Sequence, residues 1–170
     1  MKVIVVGGGP AGMIASITAA KEKNEVILLE KTSSLGNKLK ITGKGRCNLT
    51  FDGNEEDFKD NIVNNFKFMY SSFSGFDNND VIKYFNGLGV KTKVERGKRI
   101  FPVSDKAVDI LNALEKEMKK HNVKVMYNSR VKEVLQKNNK IFGVKLECGK
   151  ILNCDKCIIA TGGCSYQVTR

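Results

Sequence analysis

The first thirty residues constrain the fold more than any other part of the chain. Residues 2–6 form an apolar, mostly β-branched run, which predicts a strand buried on both faces of a parallel sheet. A glycine-rich turn over residues 7–12 follows, then an alanine-rich helical stretch to about Lys23 and a second strand over residues 25–29. The run G-x-G-x-x-G between a strand and a helix indicates a βαβ unit that binds a dinucleotide.

Each glycine of the G-x-G-x-x-G fingerprint has a predicted physical role. Gly7 lets the chain turn sharply, Gly9 leaves room for a pyrophosphate, and Gly12 lets the helix pack close to the sheet. Pro10 suits the first helical turn, where its missing N–H is not needed. Glu30 follows Gly7 by 23 residues and closes the second strand, where its carboxylate can accept hydrogen bonds from ribose hydroxyls. Because that carboxylate repels a 2′-phosphate, the pattern favours FAD or NAD over NADP, and nucleotide binding over a merely structural turn.

Length and hydropathy predict one ordinary globular domain. The chain has 170 residues, of which 41% are hydrophobic, and a mean hydropathy of −0.26. No stretch approaches the ~20 apolar residues of a membrane span. The N-terminal apolar run is too short for a signal peptide, since it leads directly into the glycine turn. We therefore expect a cytoplasmic location and no membrane partner.

The cysteines do not predict a disulfide framework. They are odd in number and irregularly spaced, at Cys47, Cys148, Cys154, Cys157 and Cys164. The Cys154-x-x-Cys157 spacing is compatible with a zinc or redox site, but no second Cys/His pair accompanies it. We expect ordinary half-buried cysteines and no metal site.

The net charge has three possible origins. The chain carries 29 Lys and Arg against 18 Asp and Glu, a net charge of +11, with a pI near 9.5. Nucleic-acid binding is one explanation, and attraction of a dianionic cofactor is another. The lysines are spread along the whole chain, which favours a generally lysine-rich composition over a nucleic-acid site.

Residues 31–50 predict a loop that passes close to an anionic or planar ligand, although a solvated loop is the alternative. Besides Lys31, the segment holds three glycines and four cationic residues, which are Gly36, Gly43, Gly45, Lys38, Lys40, Lys44 and Arg46.

The remaining chain predicts a helical region, two short strands, a helix and a late β-rich region. Residues 51–88 read as helical with a break at 71–75, and residues 90–101 as one or two strands. An amphipathic helix follows, with Ser104 as its N-cap and Ala107, Leu111, Leu114 and Met118 on one face. Residues 123–127 predict the third parallel strand. Residues 130–136, 141–147 and 150–154 predict a β-meander, and residues 156–160 another buried parallel strand.

Four motifs together resemble one family. They are the glycine turn, the run from Gly36 to Asn48, Arg99-Ile-Phe-Pro102, and the run Ala160-Thr-Gly-Gly-Cys-Ser-Tyr166. They are similar to the bacterial aminoacetone-oxidase-like flavoproteins, also called bile-acid-reductase-like NAD(P)/FAD-dependent oxidoreductases. The resemblance covers the whole chain and implies an α/β, Rossmann-like FAD-binding domain of the glutathione-reductase type, with a parallel sheet and a β-meander crossover.

The resemblance also implies roles for individual residues toward FAD. The pyrophosphate would be held by Gly7, Gly9, Pro10, Ala11 and Gly12, and the adenosine ribose by Glu30, with Lys31 a further cofactor-binding candidate. Lys38, Arg46, Cys47 and Asn48 would lie along the cofactor toward the flavin. Val131 would meet the adenine through its backbone, and Thr161, Gly162 and Gly163 would pass close to the phosphates and ribitol. A redox role for Cys47 is less favoured than packing beside the cofactor, because no partner thiol is evident.

Family members extend beyond the point where this sequence ends, and they typically read Ser-Tyr-Pro-x-Thr-Gly where this chain has residues 165–170. Residues 1–170 would therefore be the N-terminal portion of a single FAD-binding domain, without the substrate domain and the C-terminal strand. Such a domain would expose an unpaired sheet edge, through which copies could self-associate.

Three functions follow as hypotheses. The first is an FAD-dependent oxidoreductase that transfers hydride from a nicotinamide, NAD(P)H, to a small unsaturated or carbonyl substrate. The second is a catalytically inactive nucleotide-binding fragment that needs a missing segment. The third, less favoured, is a nucleic-acid binder related to flavin-dependent tRNA-modifying enzymes. No catalytic residue can be assigned, since the single histidine, His121, is expected on the surface at a helix end.

Overall fold

The computed structural model describes residues 1–163. The predicted motif residues Cys164 to Tyr166, and the departure from the family pattern at residues 165–170, lie outside this range. The chain divides into two compact units. The first consists of Met1–Leu39 with the residues from Leu114 onward, and the second of Lys40–Ala113.

The described residues form the following elements in chain order. The strands are β1 Lys2–Val6, β2 Glu25–Leu29, β3 Thr50–Phe51, β4 Thr92–Glu95, β5 Arg99–Pro102, β6 Lys124–Met126, β7 Val131–Lys137, β8 Lys140–Leu146, β9 Ile151–Asn153 and β10 Lys156–Ile159. The helices are α1 Pro10–Lys21, α2 Asn37–Ile41, α3 Glu55–Asn61, α4 Phe66–Gly75, α5 Asn78–Gly87 and α6 Ala107–Lys120, with a 3₁₀ turn over Thr42–Gly45. None of these helices is long and apolar enough to cross a membrane.

A parallel sheet in the order β10-β1-β2-β6 forms the centre of the first unit. Its central strands are almost fully apolar, and Val3, Ile4, Val5 and Val6 of β1 are all buried. The predicted βαβ unit, the third parallel strand and the last parallel strand are confirmed. Because all four strands run in one direction, the segments that follow them lie at one carboxyl edge.

The predicted meander is confirmed as the antiparallel sheet β7-β8-β9, and it covers one face of the parallel sheet. Ile4 and Val6 of β1, with Ile27 and Leu29 of β2, form one buried cluster with meander residues. The meander contributes the side chains Val144, Leu146 and Cys154 to this cluster. Helix α1 packs against β1 and β2 and buries Met13 and Ile17. Apolar burial on this scale is the main contribution to the stability of the unit.

Strand β10 is less buried than its sequence predicts. Ile159 is 58% exposed, although it belongs to an apolar run. Within the described residues β10 has a neighbour, β1, on one side only, so it is an edge strand. The expectation of full burial was wrong for this strand because sequence hydropathy does not reveal the position of a strand in a sheet.

The second unit contains α3, α4, α5 and the antiparallel sheet β3-β5-β4. The predicted break at residues 71–75 is wrong, since these residues are the last part of α4. Ser104 is also not the N-cap of α6, because the chain first turns through Asp105 at φ 54° and the helix begins at Ala107. The four apolar residues predicted to share a face of α6 are all buried.

The segment 31–50 is only partly a loop. Helix α2 and the 3₁₀ turn occupy residues 37–45, where a continuous loop was expected. Burial of Leu39 favours this short helical turn over an extended loop. Gly43 and Lys44 then adopt left-handed torsions, with φ 58° at both. A left-handed lysine costs conformational energy, which the surrounding second unit must offset.

Candidate functional site

The glycine turn after β1 is shaped by contacts within the first unit. Gly7 has φ +111°, and its N–H donates to the carbonyl oxygen of Leu29 at 2.8 Å. A Cβ on Gly7 would collide with the carbonyl oxygen of Ala160, and a Cβ on Gly12 would collide with that of Gly7. Both positions therefore require glycine for the chain to pack, as the fingerprint predicts.

Gly8 is an unspecified position of the fingerprint, but the structure shows that it is also constrained. A Cβ there would collide with Cδ2 of Leu35 and would lie 2.7 Å from Oε2 of Glu30. The Gly8 N–H instead donates to that same oxygen at 2.8 Å. The only available signal in the sequence was the uninterrupted run of three glycines.

Gly9 differs from its neighbours because nothing in the described chain requires it to be glycine. Its torsions, φ −78° and ψ 175°, are open to any residue. A Cβ at Gly9 would meet no atom within 4 Å. The space beside it lies at the N-terminus of α1, which has Pro10 in its first turn, no side-chain cap and no acidic residue. Free amides and the positive end of the helix dipole therefore border an open space, an arrangement that suits phosphate.

Glu30 faces the glycine turn, as predicted. Its side chain is buried, with the residue 9% exposed. Oε2 accepts from Gly8 N–H at 2.8 Å, while Oε1 accepts from the N–H and Oγ1 of Thr32 at 2.9 and 2.8 Å. The Glu30 backbone is held by β6 and the residues after it, through Glu30 N–H to Met126 O at 2.9 Å and Ser129 N–H to Glu30 O at 2.8 Å. The carboxylate is thus fixed at the carboxyl edge of the sheet.

A groove of about 620 Å³ opens beside the Glu30 segment. It is lined by residues that follow β2 and β6 and by the turn between β8 and β9, namely Lys31, Thr32, Asn128, Arg130, Leu146, Glu147 and Cys148. The cofactor candidate Lys31 is among them. The side chain of Val131, the other candidate nearby, packs against the apolar cluster of the unit. Val131 is only partly buried, and its backbone contact with an adenine stays a prediction.

The segment after β10 reaches the same edge. Ala160 N–H donates to Val6 O at 2.8 Å, which aligns the start of this segment with the end of β1. Thr161, Gly162 and Gly163 are exposed. A Cβ on either glycine would meet no atom within 4 Å, although Gly162 also has φ +78°. As at Gly9, no neighbour within the described residues would clash with a side chain at Gly163.

Lys38 belongs to the first unit, on α2, where it is half-buried. Arg46, Cys47 and Asn48 belong to the second unit, and each is engaged there by its own unit. The first unit thus brings together the glycine-turn residues, Glu30, Lys31, Val131 and Thr161–Gly163 at one sheet edge.

Arg46 forms the centre of a charged cluster in the second unit. Its Nη1 lies 3.0 and 2.9 Å from the two carboxylate oxygens of Glu95, and 3.5 Å from Oδ1 of Asp105. Its guanidinium stacks over the ring of Phe101, 4.2 Å from the centroid. Lys93 completes the cluster by donating to Asp105 at 2.6 Å. The Lys93 ammonium lowers the pKa of Asp105, and Asp105 raises the pKa of Lys93.

Cys47 and Asn48 are likewise held within the second unit. Cys47 is buried, and burial raises the pKa of its thiol above the ordinary value, which opposes thiolate chemistry. With its amide nitrogen turned inward, Asn48 donates to Thr50 O at 3.0 Å and to Ile100 O at 3.3 Å. These contacts give the Gly-Arg-Cys-Asn motif a structural role in positioning β3 and β5.

The remaining candidates for acid/base or thiol chemistry are His121, Cys154 and Cys157. His121 lies just after α6, where its Nε2 is 3.1 Å from Oε1 of Glu117. The His121 side chain is half-buried, with 24% of it exposed, so it still reaches the surface at the helix end. Burial raises the pKa of Cys154 and of Cys157, which favours the thiol form at both. No group of three or more metal-ligating side chains occurs within residues 1–163.

Comparisons with known proteins agree with this geometry. A family model described as the HI0933-like protein Rossmann domain matches residues 1–169. A 3-dehydro-bile acid delta(4,6)-reductase from Clostridium scindens is 32% identical over 169 residues, covering 94% of this chain and 38% of that protein. A ribosomal RNA dihydrouridine synthase from Escherichia coli is 32% identical over 162 residues, covering 95% and 39%.

Solved structures share the fold at lower identity. A flavocytochrome c3 fumarate reductase aligns with 95% of this chain and 33% of its own, with a TM-score of 0.66 and 22% identity. At that identity the likeness establishes the fold alone. The chain spans well under half the length of the two relatives described above.

Proposed function

The chain belongs to the HI0933-like Rossmann-domain family, and we propose that the carboxyl edge of its parallel sheet binds FAD. Gly9 is the observation that carries the proposal. No torsion and no neighbour within the described chain demands glycine there, and the open space adjoins the uncapped start of α1. A diphosphate would occupy that space and accept hydrogen bonds from the free amides.

The residues present fit the ADP part of FAD. The carboxylate of Glu30 would accept a ribose hydroxyl, and the groove bounded by Lys31 and Arg130 is open for an adenine. Gly162 and Gly163 leave room for the rest of the cofactor. FAD supplies the redox chemistry when bound, while these residues bind and orient it. Lys38, Arg46, Cys47 and Asn48 remain predictions as direct contacts of the flavin half.

For the whole protein we propose an oxidoreductase that passes hydride from NAD(P)H to a small unsaturated or carbonyl substrate. The C. scindens relative is by its name a 3-dehydro-bile acid delta(4,6)-reductase, which supports this substrate class. The alternative is an inactive nucleotide-binding fragment. Unlike the proposed oxidoreductase, such a fragment would not oxidise NADH once it is loaded with FAD. The partners proposed are therefore a small-molecule substrate and a nicotinamide.

The binding proposal is tested by titrating the 170-residue chain with FAD and following flavin fluorescence and calorimetric heat. We expect saturable one-to-one binding. Gly9→Val fills the open space and should weaken binding by roughly tenfold or more for each phosphate hydrogen bond lost. Gly87→Val is the matched control, because a Cβ at Gly87 also meets no atom within 4 Å. Absence of binding by the wild-type chain, or equal binding by the Gly9→Val variant, would contradict the proposal.

A polyanionic substrate is the second candidate, and the net charge of +11 is the observation that favours it. The E. coli relative acts, by its name, on ribosomal RNA. The test compares binding of a single-stranded ribosomal RNA fragment with that of a DNA duplex of equal length across a salt series. Tighter binding of the RNA at every salt concentration would support this candidate. Equal binding with a steep salt dependence would indicate charge attraction alone.

A further inference from the structure

We propose that the Thr32 hydroxyl is an exchangeable hydrogen-bond donor that adjusts how many ribose hydroxyls Glu30 can accept. The inference rests on the proposed function, because it concerns the ribose of a nucleotide bound at the glycine turn. Thr32 is absent from the fingerprint, and only the folded chain reveals its contact with Glu30.

The hydroxyl of Thr32 faces two acceptors. Its Oγ1 lies 2.8 Å from Oε1 of Glu30 and 2.9 Å from the carbonyl oxygen of Ser34. A threonine hydroxyl has one hydrogen, so it can make a full hydrogen bond to only one of them at a time. The two distances are nearly equal, which makes both donor orientations accessible without any movement of the heavy atoms.

The position of Oγ1 is held by its neighbours. Nδ2 of Asn37 donates to Oγ1 at 2.8 Å, and Oδ1 of Asn37 accepts from the Ser34 hydroxyl at 2.7 Å. The Thr32 backbone is fixed as well, since Asn128 N–H donates to its carbonyl oxygen at 3.0 Å. These hydrogen bonds hold the oxygen in place, and its hydrogen can point to either Glu30 or Ser34.

The choice changes the acceptor capacity of Glu30. Each carboxylate oxygen accepts about two hydrogen bonds. Gly8 N–H uses one position on Oε2, and Thr32 N–H uses one on Oε1. When the Thr32 hydroxyl also donates to Oε1, that oxygen is saturated and one position remains, on Oε2. When the hydroxyl turns to Ser34, one position remains on each oxygen, which matches the two vicinal hydroxyls of a ribose.

This exchange makes wild-type binding tolerant of a missing ribose hydroxyl. With ADP, the hydroxyl turns to Ser34 and Glu30 accepts from both ribose hydroxyls. With a deoxy analogue, the Thr32 hydroxyl turns back and fills the vacant position on Oε1. A variant without the hydroxyl leaves a buried carboxylate oxygen short of a donor, and that deficiency penalises only the deoxy analogue.

The experiment measures dissociation constants of ADP, 2′-deoxy-ADP and 3′-deoxy-ADP for the 170-residue chain. For each variant, the dissociation constant of each deoxy analogue is divided by that of ADP, and the larger of the two ratios is compared with the wild-type ratio. In Thr32→Val we expect this ratio to rise about tenfold, which is the effect of one hydrogen bond to a charged group. Thr32→Ser retains the hydroxyl and should restore the wild-type ratio. Thr18→Val is the matched control, on an exposed threonine of α1.

The outcomes separate this inference from the proposed function. A ratio that rises in Thr32→Val but not in Thr32→Ser or Thr18→Val supports the exchange. An unchanged ratio in a Thr32→Val chain that still binds ADP overturns the exchange and leaves the proposed function intact. Failure of the wild-type chain to bind ADP or FAD overturns both. Should Thr32→Val melt below the assay temperature, Thr32→Ala makes the same comparison.

Discussion

Gly8→Ala is a perturbation whose cost can be worked out from the structure of the first unit. The new Cβ would collide with Cδ2 of Leu35 and approach Oε2 of Glu30 to 2.7 Å, so one of these side chains must move. Displacing Glu30 breaks the 2.8 Å hydrogen bond from Gly8 N–H, a bond to a charged group worth about 1.5–3 kcal/mol. Overpacking adds about 1–3 kcal/mol.

We therefore expect Gly8→Ala to lower the free energy of unfolding by about 3 kcal/mol. For a chain of this length, that corresponds to a fall in Tm of roughly 6–12 °C. The assay is urea unfolding followed by circular dichroism, together with a thermal scan. Gly9→Ala, which meets no atom, should change stability by no more than about 0.5 kcal/mol.

Leu35→Ala identifies the source of the strain. On its own it removes a buried side chain and should cost about 2–5 kcal/mol. Combined with Gly8→Ala it also removes the colliding atom, so the double variant should be more stable than the sum of the two single effects by at least about 1 kcal/mol. Strict additivity, or a Gly8→Ala chain as stable as wild type, would refute the steric argument.

Three further predictions concern the second unit and the cysteines. Arg46→Lys loses the paired contacts to Glu95 and the stacking on Phe101, so it should destabilise the chain by about 1–2 kcal/mol in urea unfolding. A variant with the same urea unfolding midpoint as wild type would contradict the assigned contacts. Because the pKa of Asp105 is lowered in the folded chain, its contribution is present above the ordinary carboxyl pKa and lost as pH falls through the folded value. The free energy of unfolding of Asp105→Asn should therefore be lower than that of wild type at pH 6, and the difference should shrink below about pH 4. A difference that does not depend on pH would oppose this explanation. Exposed Cys148 should react with a thiol reagent at pH 7.5 well before buried Cys47, whose pKa is raised. Mass mapping of the labelled peptides measures the order of reaction, and earlier labelling of Cys47 would contradict the prediction.

Sequence reasoning succeeded where the relevant physics is local. The βαβ unit, the meander and the parallel strands follow from apolar periodicity and turn residues within short windows, and the structure confirms them. It failed where a distant contact decides the conformation. Residues 37–45 form short helical turns instead of a continuous loop, and α6 begins three residues after Ser104.

The candidate site shows the same division. The sequence identified Gly7, Gly12 and Glu30 from their spacing alone, because those positions follow from the geometry of a strand, a turn and a helix. It could not identify Leu35 under Gly8, or the Thr32 hydroxyl beside Glu30, since neither contact is encoded in the fingerprint. The sequence also could not show that Arg46 pairs with Glu95, 49 residues away, and the contact of Arg46 with the cofactor stays a prediction.

The sequence by itself determined that this chain places a glycine turn and a carboxylate at the ends of two adjacent parallel strands. Strand, turn and helix are each specified by contiguous residues, so no distant information is needed. Only the tertiary structure decided which glycines the protein itself requires. That distinction depends on what lies opposite each Cα: Ala160 faces Gly7, and Leu35 and Glu30 face Gly8, while Gly9 faces open space. The sequence motif does not show which atoms pack opposite a given glycine, because that depends on the tertiary structure.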